Sequence, residues 1–155
     1  MEYITASQQE SGCIFCAKPQ EDRDEKNLIL YRGEQSFIIL NAFPYNNGHL
    51  LVAPYRHVAD LSLLSEEEHL DIVRLTMLGC EVLKSAVSPH GFNVGANLGQ
   101  VAGAGIADHL HVHIVPRWNG DTNFMPVIGE VKVLPEALAS TYALLKPGFD
   151  KREGR

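Results

Sequence analysis

The first half of the chain alternates short apolar runs with polar turns. Two apolar runs, residues 28–31 and 37–40, flank a polar turn at residues 32–35, a pattern that predicts a β-hairpin. A third apolar run, residues 49–54, follows an Asn-Gly pair and ends at a proline. It predicts another short strand. The pattern therefore indicates strands joined by tight turns.

The spacing of apolar residues changes after residue 64 and predicts a helix. Ser65 is followed three residues later by Glu68, which is the pattern of a capping box. Apolar residues then recur at helical spacing as far as Lys84, and we expect this face to pack on the sheet. The face consists of Leu70, Val73, Met77, Cys80 and Leu83.

The second half of the chain continues with strands and a last helix. Residues 92–97 predict a strand, and a glycine-rich loop at 99–105 leads into the β-branched run 109–116. A short helix is predicted from near Pro135, with Leu138, Tyr142 and Leu145 on one side. The order of elements predicts an α+β fold, an antiparallel β-sheet with a long helix and a short C-terminal helix on one face.

Length and charge limit the function classes. The 155 residues predict a single domain over 1–155 with a core at about 13–146. The formal net charge of −6 gives no long-range attraction for nucleic acid or an anionic membrane, so an anionic ligand needs a local site. A zinc-finger-like nucleic-acid module fits poorly, since no basic stripe is present.

The three cysteines and the N-terminal sequence indicate the cellular compartment in which the protein is expected. Cys13 and Cys16 form a Cys-x-x-Cys pair, which suits a reducing compartment and a metal site better than a disulfide framework. The N-terminus has no basic segment followed by an apolar run, and no stretch approaches the roughly eighteen apolar residues that span a bilayer. We expect a cytoplasmic protein without a membrane partner.

Three histidines alternate with large aliphatic residues in the segment 109–116. In a strand, this period of two places the imidazoles of His109, His111 and His113 on one face and the aliphatic side chains on the other. A solvent-facing strand would be served by Lys, Thr or Glu. Histidine is typical of sites where a neutral nitrogen attacks, accepts a proton or binds a metal.

Two chemical interpretations of this row compete. The histidines can be ligands of a metal-dependent hydrolase, or one of them can be a nucleophile toward phosphorus while its neighbours orient it and neutralise charge. Alternate residues of a strand lie roughly 6.5–7 Å apart, which favours different roles over convergence on one ion. The upstream glycines also favour phosphate, because their backbone N–H groups can approach an anion closely. A non-catalytic nucleotide sensor is a third possibility.

These residues resemble the histidine-triad (HIT) superfamily, whose signature is His109-Leu-His111-Val-His113-Ile-Val-Pro. The resemblance includes Cys13-Ile-Phe-Cys16, residues 40–57 and residues 92–97, and it covers most of 13–118. The continuation from Pro116 to Met125 looks like the branch that acts on diadenosine polyphosphates, the Ap4A phosphorylases. The resemblance therefore implies a HIT-like fold, an enzyme and a homodimer.

The resemblance also implies a mechanism. The middle histidine of the family is the nucleophile, so His111 is expected to form a nucleotidyl-histidine intermediate with a dinucleoside polyphosphate or a related nucleotide conjugate. The remaining phosphates leave, and water or orthophosphate then releases the nucleotide. His113 is expected to contact the phosphate and support the departing charge.

Further positions match binding residues of the family. Asn41 matches the residue that binds the ribose hydroxyls, Asn97 a polar residue near the scissile phosphate, and His49 a histidine behind the nucleophile. The slot for the base is expected from Ile14, Phe15 and Ile39, each of which alone is equally well an ordinary core residue. The phosphate loop is expected to include Gly103 and Gly105.

One departure from the family lies in that loop. Many members have Gln followed by Ser or Thr before the triad, whereas this chain has Gly105 and Ile106. A side-chain donor to the leaving group is therefore missing at these positions, and backbone N–H groups or another residue must replace it.

The cysteine pair takes a more specific meaning from the resemblance. Several members hold a structural zinc ion with residues that correspond to Cys13, Cys16, His57 and His109. A Cys₂His₂ set is a closed tetrahedral site without a position for water, so this Zn²⁺ would tether the N-terminus and not take part in chemistry. The alternative is a pair of reduced thiols beside an imidazole that is hydrogen-bonded to the backbone.

Overall fold

The structure, a computed structural model, describes residues 12–104, 108–121 and 137–152. The strands in these residues are β1 (Ile29–Arg32), β2 (Ser36–Leu40), β3 (Leu50–Pro54), β4 (Gly91–Gly95) and β5 (Val112–Arg117). The α-helices are α1 (Ile14–Ala17), α2 (Asp24–Asn27), α3 (Glu66–Val87) and α4 (Leu138–Asp150), with 3₁₀ turns at Lys18–Gln20, Leu61–Leu63 and Gln100–Ala102. The strands form one antiparallel sheet in the order β1-β2-β3-β5-β4, which confirms the α+β prediction.

The central strands are covered on both faces. Every residue of β2 and β3 is buried. Since successive side chains of a strand point to opposite sides of the sheet, both sides must be covered. One set packs in the core beneath α3 and α4, including Ile38, Leu40, Leu50 and Val52. The other set packs around Phe15 of the short α1, including Phe37, Ile39, Leu51 and Ala53. The two long helices therefore share one face, as predicted, while α1 covers part of the other.

Helix α3 begins with the predicted capping box, in which the Ser65 hydroxyl accepts from the Glu68 N–H and the Glu68 carboxylate accepts from the Ser65 N–H. The predicted packing face is wrong for most of its residues. Leu70, Val73 and Met77 are 50%, 55% and 59% exposed. Leu83 is buried, Cys80 is half-buried, and the core face of α3 consists of Glu68, Asp71, Ile72, Leu75, Gly79, Val82 and Leu83.

Two acidic residues explain why the buried face of α3 is difficult to recognise. The Asp71 carboxylate accepts hydrogen bonds from the Gln35 N–H at 2.9 Å and the Ser36 hydroxyl at 2.6 Å. Glu68 pairs with Arg56 at 2.6 Å. A buried carboxylate is tolerated when it is paired and hydrogen-bonded, so this face combines polar and apolar residues. The continuous apolar stripe lies on the exposed side.

Helix α4 buries Tyr142 and Leu145 and packs Leu138 at the edge of the core, as predicted. Its predicted beginning near Pro135 lies outside the described residues. The helix continues through Pro147, and Phe149 is fully buried. No described helix is long and apolar enough to cross a membrane.

The histidine segment becomes a paired strand later than predicted. β5 begins at Val112, and the preceding residues run against the loop after β3, where the Leu110 N–H donates to the Val58 carbonyl at 2.6 Å. The alternation nevertheless holds, because Leu110, Val112 and Ile114 all contribute to the helix-side core. The three imidazoles are thus directed to the opposite face.

Candidate active site

His111 is held with one ring nitrogen available for attack. It is 6% exposed, and the Phe15 ring lies with its centroid 5.0 Å away. Its Nδ1 lies 2.9 Å from the His109 carbonyl, and a carbonyl only accepts, so Nδ1 carries the proton. The lone pair of the neutral ring is therefore on Nε2, which gives His111 the tautomer of a nucleophile.

His113 is held in the opposite tautomer, which suits a different role. The Tyr45 N–H donates to Nδ1 of His49 at 3.1 Å, so the proton of neutral His49 is on Nε2 and is donated to Nδ1 of His113 at 2.9 Å. The proton of His113 is then on Nε2. This atom is buried and has no hydrogen-bond partner among the described residues. It is a donor available to an oxygen of a bound ligand.

The surroundings keep this pair of imidazoles neutral. Burial, and to a smaller extent the neighbouring His113 and His111, lower the pKa of His49 to about 4. The pKa of His113 is lowered by burial and then by His111. Both rings are therefore neutral near pH 7, as the hydrogen bonds from Tyr45 to His49 and from His49 to His113 require.

The low pKa of His49 predicts acid-sensitive stability. Unfolded His49 binds a proton below its ordinary pKa of 6.5, whereas the folded protein binds it only near pH 4. The free energy of unfolding should therefore decrease as pH falls from about 6.5 to about 4. Urea unfolding of wild type and His49→Asn between pH 7 and pH 4.5 measures this. A smaller pH slope in the variant is expected, and equal slopes would contradict the assignment.

A cavity of about 530 Å³ lies directly beside the two histidines. It brings together most of the predicted site, namely Ile14, Phe15, Ile39, Asn41, Asn97, Gly103, His111 and His113. Phe15 and Ile39 are also part of the buried cluster on this face, so they serve as both core and cavity wall. His49 lies behind His113, and the predicted phosphate residue Gly105 lies outside the described residues.

Several residues of the cavity wall were not found from the sequence. They are Lys18, Leu40, Ala42, Phe43, Tyr45 and Leu51. Phe43 and Tyr45 are 87% and 76% exposed at the mouth, and Tyr45 stacks on His49 with the ring centroids 5.2 Å apart. Burial lowers the pKa of Lys18, and the charge of nearby Glu21 opposes this shift. Exposed aromatic side chains are a signal of binding, but this signal is visible only in three dimensions.

The two asparagines of the cavity are oriented by the backbone. The Asn41 side-chain oxygen accepts from the Phe43 N–H at 2.9 Å, so its amide nitrogen remains directed toward His49 at 3.3 Å. The amide nitrogen of Asn97 donates to the Gly103 carbonyl at 3.4 Å. Gly103 has a φ of +86°, a conformation that glycine adopts without strain.

His109 belongs to a separate cluster with the other three predicted ligands. Nδ1 of His109 lies 3.3 Å from the Cys13 sulfur, 3.5 Å from the Cys16 sulfur and 3.2 Å from Nδ1 of His57. All four ligand atoms lie within 4.8 Å of one another. A tetrahedral Zn²⁺ with ordinary bond lengths has N–N and N–S edges of about 3.3–3.6 Å. The cluster therefore fits a zinc ion.

The second nitrogen of His109 supports the same conclusion. Nε2 lies 2.8 Å from the Pro54 carbonyl, so it carries the proton and leaves the lone pair on Nδ1, toward the cysteines. Metal-ligating histidines are commonly oriented in this way by a carbonyl. Burial lowers the pKa of His109 to about 4, although the Pro54 hydrogen bond opposes this. A neutral ring suits a ligand.

These features define an α+β domain with a row of three histidines, two beside a cavity and one in a Cys/His cluster. The HIT domain model matches residues 22–120, and the chain belongs to the HIT family.

Individual relatives extend this comparison. A protein named AP-4-A phosphorylase from Mycobacterium tuberculosis is 48% identical over 122 residues, which cover 79% of this chain and 63% of the relative. This chain thus spans less than two thirds of that relative's length. An adenosine 5'-monophosphoramidase from Schizosaccharomyces pombe is 31% identical over 83% of this chain and 97% of its own.

The solved structure of a Zn-bound histidine triad family protein from Mycobacterium smegmatis has a similar fold. Its TM-score is 0.72 at 23% identity, with 94% of this chain and 98% of the other covered. This comparison confirms the predicted fold.

Proposed function

We propose that this protein is a nucleotidyl-transferring enzyme that cleaves a dinucleoside polyphosphate of the Ap4A type at the α-phosphorus through a nucleotidyl-His111 intermediate. One observation carries the proposal. His111 and His113 line the same cavity with their ring centroids 4.9 Å apart, so a histidine whose lone pair is on Nε2 lies beside a histidine whose Nε2–H has no partner among the described residues. The similarity to the phosphorylase supports the choice of substrate.

Different regions of the cavity suit the base, the ribose and the phosphate of a nucleotide. Ile14, Phe15 and Ile39 provide apolar surface for a base, and Asn41 provides an amide for ribose hydroxyls. Asn97 and Gly103 lie near the histidines, where the α-phosphate must bind. An apolar cavity with a few oriented polar groups is typical of small-molecule sites.

The first chemical step joins these groups. Nε2 of His111 forms a bond to the α-phosphorus while the bond from phosphorus to the bridging oxygen breaks. The departing oxygen keeps the electron pair and accepts the hydrogen bond from Nε2–H of His113. His49 holds that N–H in place through its bond to Nδ1. In the second step, orthophosphate or water releases the nucleotide.

Product analysis with Ap4A, in the presence and absence of orthophosphate, tests the function. ATP and ADP formed only with phosphate are expected of a phosphorylase, and ATP and AMP formed without it of a hydrolase. The substitution His111→Ala is the control. Failure of the wild type to release a nucleotide from Ap4A, with or without phosphate, would contradict the proposed substrate.

Two other functions make different predictions. A metal-dependent hydrolase would lose turnover at once on chelation while still folded. Against it, His111 donates from Nδ1 to a carbonyl and His109 faces the cysteines, so the three histidines do not converge on one ion. A non-catalytic nucleotide sensor would keep its full function in His111→Ala.

The relative named as a phosphoramidase favours adenosine 5'-phosphoramidate as a second candidate substrate, since the same attack on phosphorus expels ammonia.

We also assign a structural role to zinc. Bound by Cys13, Cys16, His57 and His109, Zn²⁺ would connect the N-terminal helix to the loop after β3 and to the segment before β5. Four protein ligands complete a tetrahedron, so the ion serves as a crosslink. Because the cysteines must be reduced to bind the ion, we place the protein in a reducing compartment such as the cytoplasm.

The partner proposed for the exposed apolar stripe of α3 is a second copy of this chain. Val73 and Met77 line one groove with Val94 of β4, which is 50% exposed and belongs to the strand at the end of the strand order. An apolar patch beside a sheet edge is typical of an interface, and a two-fold axis would place both copies of this patch together.

The dimer is tested by light scattering after size-exclusion chromatography. Wild type should have twice the mass of the chain, and Val73→Glu should shift it to the monomer mass because a charge is placed in the apolar interface. Leu144→Glu, which changes an exposed leucine of α4, is the matched control and should stay dimeric. A monomeric wild type or an unchanged Val73→Glu would contradict the dimer.

A further inference from the structure

A second cavity of about 590 Å³ lies beside the first. It is lined by the consecutive residues 93–97 of β4 and the segment after it, by alternate residues of β5, and by Tyr45 and Asn46 of the loop between β2 and β3. Tyr45, Asn97 and His113 line both cavities, whereas His111 lines the first and not the second. The two cavities therefore meet at His113.

The geometry of displacement at phosphorus connects the second cavity to the reaction. The attacking and departing atoms lie roughly in line, on opposite sides of the phosphorus. His111 occupies one side, and the N–H of His113 is the donor to the departing oxygen. The phosphates beyond the cleaved bond thus leave past His113, where the second cavity opens.

The second cavity contains a guanidinium held in a fixed orientation. Nε and Nη2 of Arg117 donate to the two carboxylate oxygens of Asp121 at 2.7 and 2.9 Å, and Nη1 donates to the Asn93 side-chain oxygen at 2.6 Å. Asn46 also donates to Asp121, at 2.8 Å. The side chain of Arg117 is 40% exposed and that of Asp121 is 12% exposed, so a ligand in the cavity meets the cation more than the carboxylate.

We propose that the second cavity is the acceptor site of the enzyme. It binds the phosphates of the departing nucleotide and then the incoming orthophosphate, and Arg117 is the side chain that attracts phosphate, because its cation is more exposed than the carboxylate of Asp121. The proposal rests on the nucleotidyl-His111 mechanism and adds to it the place from which the acceptor attacks.

The second half of the reaction requires such a site. An oxygen of orthophosphate forms a bond to the nucleotidyl phosphorus while the bond from phosphorus to Nε2 of His111 breaks. The electron pair returns to Nε2, His111 becomes neutral again, and a nucleoside diphosphate is released. Since attack is in line, the acceptor must come from the side that the first leaving group vacated. No other co-reactant is needed.

The experiment measures release from the preformed nucleotidyl-enzyme at increasing orthophosphate concentrations. The phosphate concentration for half-maximal release should rise at least tenfold in Arg117→Gln. Arg32→Gln is the matched control, because Arg32 forms a similar two-bond pair with Asp24 outside both cavities. It should stay within twofold of wild type.

A second variant keeps the test decisive if Arg117→Gln fails to fold. A Cβ at Gly95 meets no atom within 4 Å, so Gly95→Val fits the strand and narrows the cavity. It should also raise the half-maximal phosphate concentration at least tenfold. If the folded variants have the same half-maximal phosphate concentration as wild type, the proposal is overturned. Release of the nucleotide by water alone in wild type would also overturn it, but would leave the proposed function intact. A wild type that forms no nucleotidyl-enzyme would instead refute the proposed function itself.

Discussion

Replacing His111 by asparagine should reduce turnover of Ap4A by about 10⁴-fold or more, because the asparagine amide has no lone pair that can attack phosphorus. The amide nitrogen can still donate to the His109 carbonyl, as Nδ1 of His111 does at 2.9 Å. Local structure and substrate binding should therefore be nearly unchanged. Steady-state kinetics, combined with a direct binding measurement, separates these two effects.

The control for this variant is His69→Asn, which changes an exposed histidine on α3. Its turnover should stay within about twofold of wild type. Full activity of His111→Asn would show that another group is the nucleophile. A loss caused by weaker binding alone would assign His111 to substrate binding and not to covalent chemistry.

Loss of the Cys/His cluster should have the largest effect on stability. Cys13→Ser should abolish binding of one zinc ion per chain and lower the free energy of unfolding by on the order of 5 kcal/mol, which is part of the roughly 10–16 kcal/mol that zinc contributes in isolated zinc peptides. Elemental analysis and thermal unfolding measure both quantities. Prolonged chelation of wild type should have the same effect.

The half-buried Cys80 provides the matched control for this prediction. Cys80→Ser should keep its zinc and lose much less stability, because Cys80 is not in the cluster. An equal loss of stability in Cys13→Ser and Cys80→Ser would contradict the structural role of zinc. So would a wild type whose unfolding temperature does not change when chelation removes its zinc. Chelation that abolishes turnover while the thermal transition is unchanged would favour a catalytic metal.

The elements that set the histidine row could be predicted because their pattern is local. Alternation along residues 109–116 determines which side chains share a face, and the Ser65 and Glu68 spacing determines where α3 begins. The orientation of α3 could not be predicted. Its exposed side carries Leu70, Val73 and Met77, whereas its buried face includes the acidic Glu68 and Asp71. Asp71 is buried only because Gln35 and Ser36, far away in sequence, donate to it.

The chemistry of the site also depends on contacts that the sequence does not display. The histidine signature indicates which residues react, but their tautomers follow from a backbone carbonyl at His111 and from His49 at His113. Lys18 reaches the cavity from a 3₁₀ turn and Tyr45 from the loop between β2 and β3, and the positions of both segments are set by tertiary packing. The family resemblance already implied that His109 is a metal ligand and that His111 and His113 are not, and the fold adds the contacts that orient each ring.

The central claim is a covalent bond between His111 and the nucleotide, and intact-mass spectrometry tests it most directly. Wild-type protein mixed with Ap4A without orthophosphate, and quenched in base to protect the phosphorus–nitrogen bond, should gain the mass of one adenylyl group. Peptide mapping should place this group on His111, and His111→Asn should gain none. Turnover without any adduct, or an adduct on another residue, would contradict the mechanism.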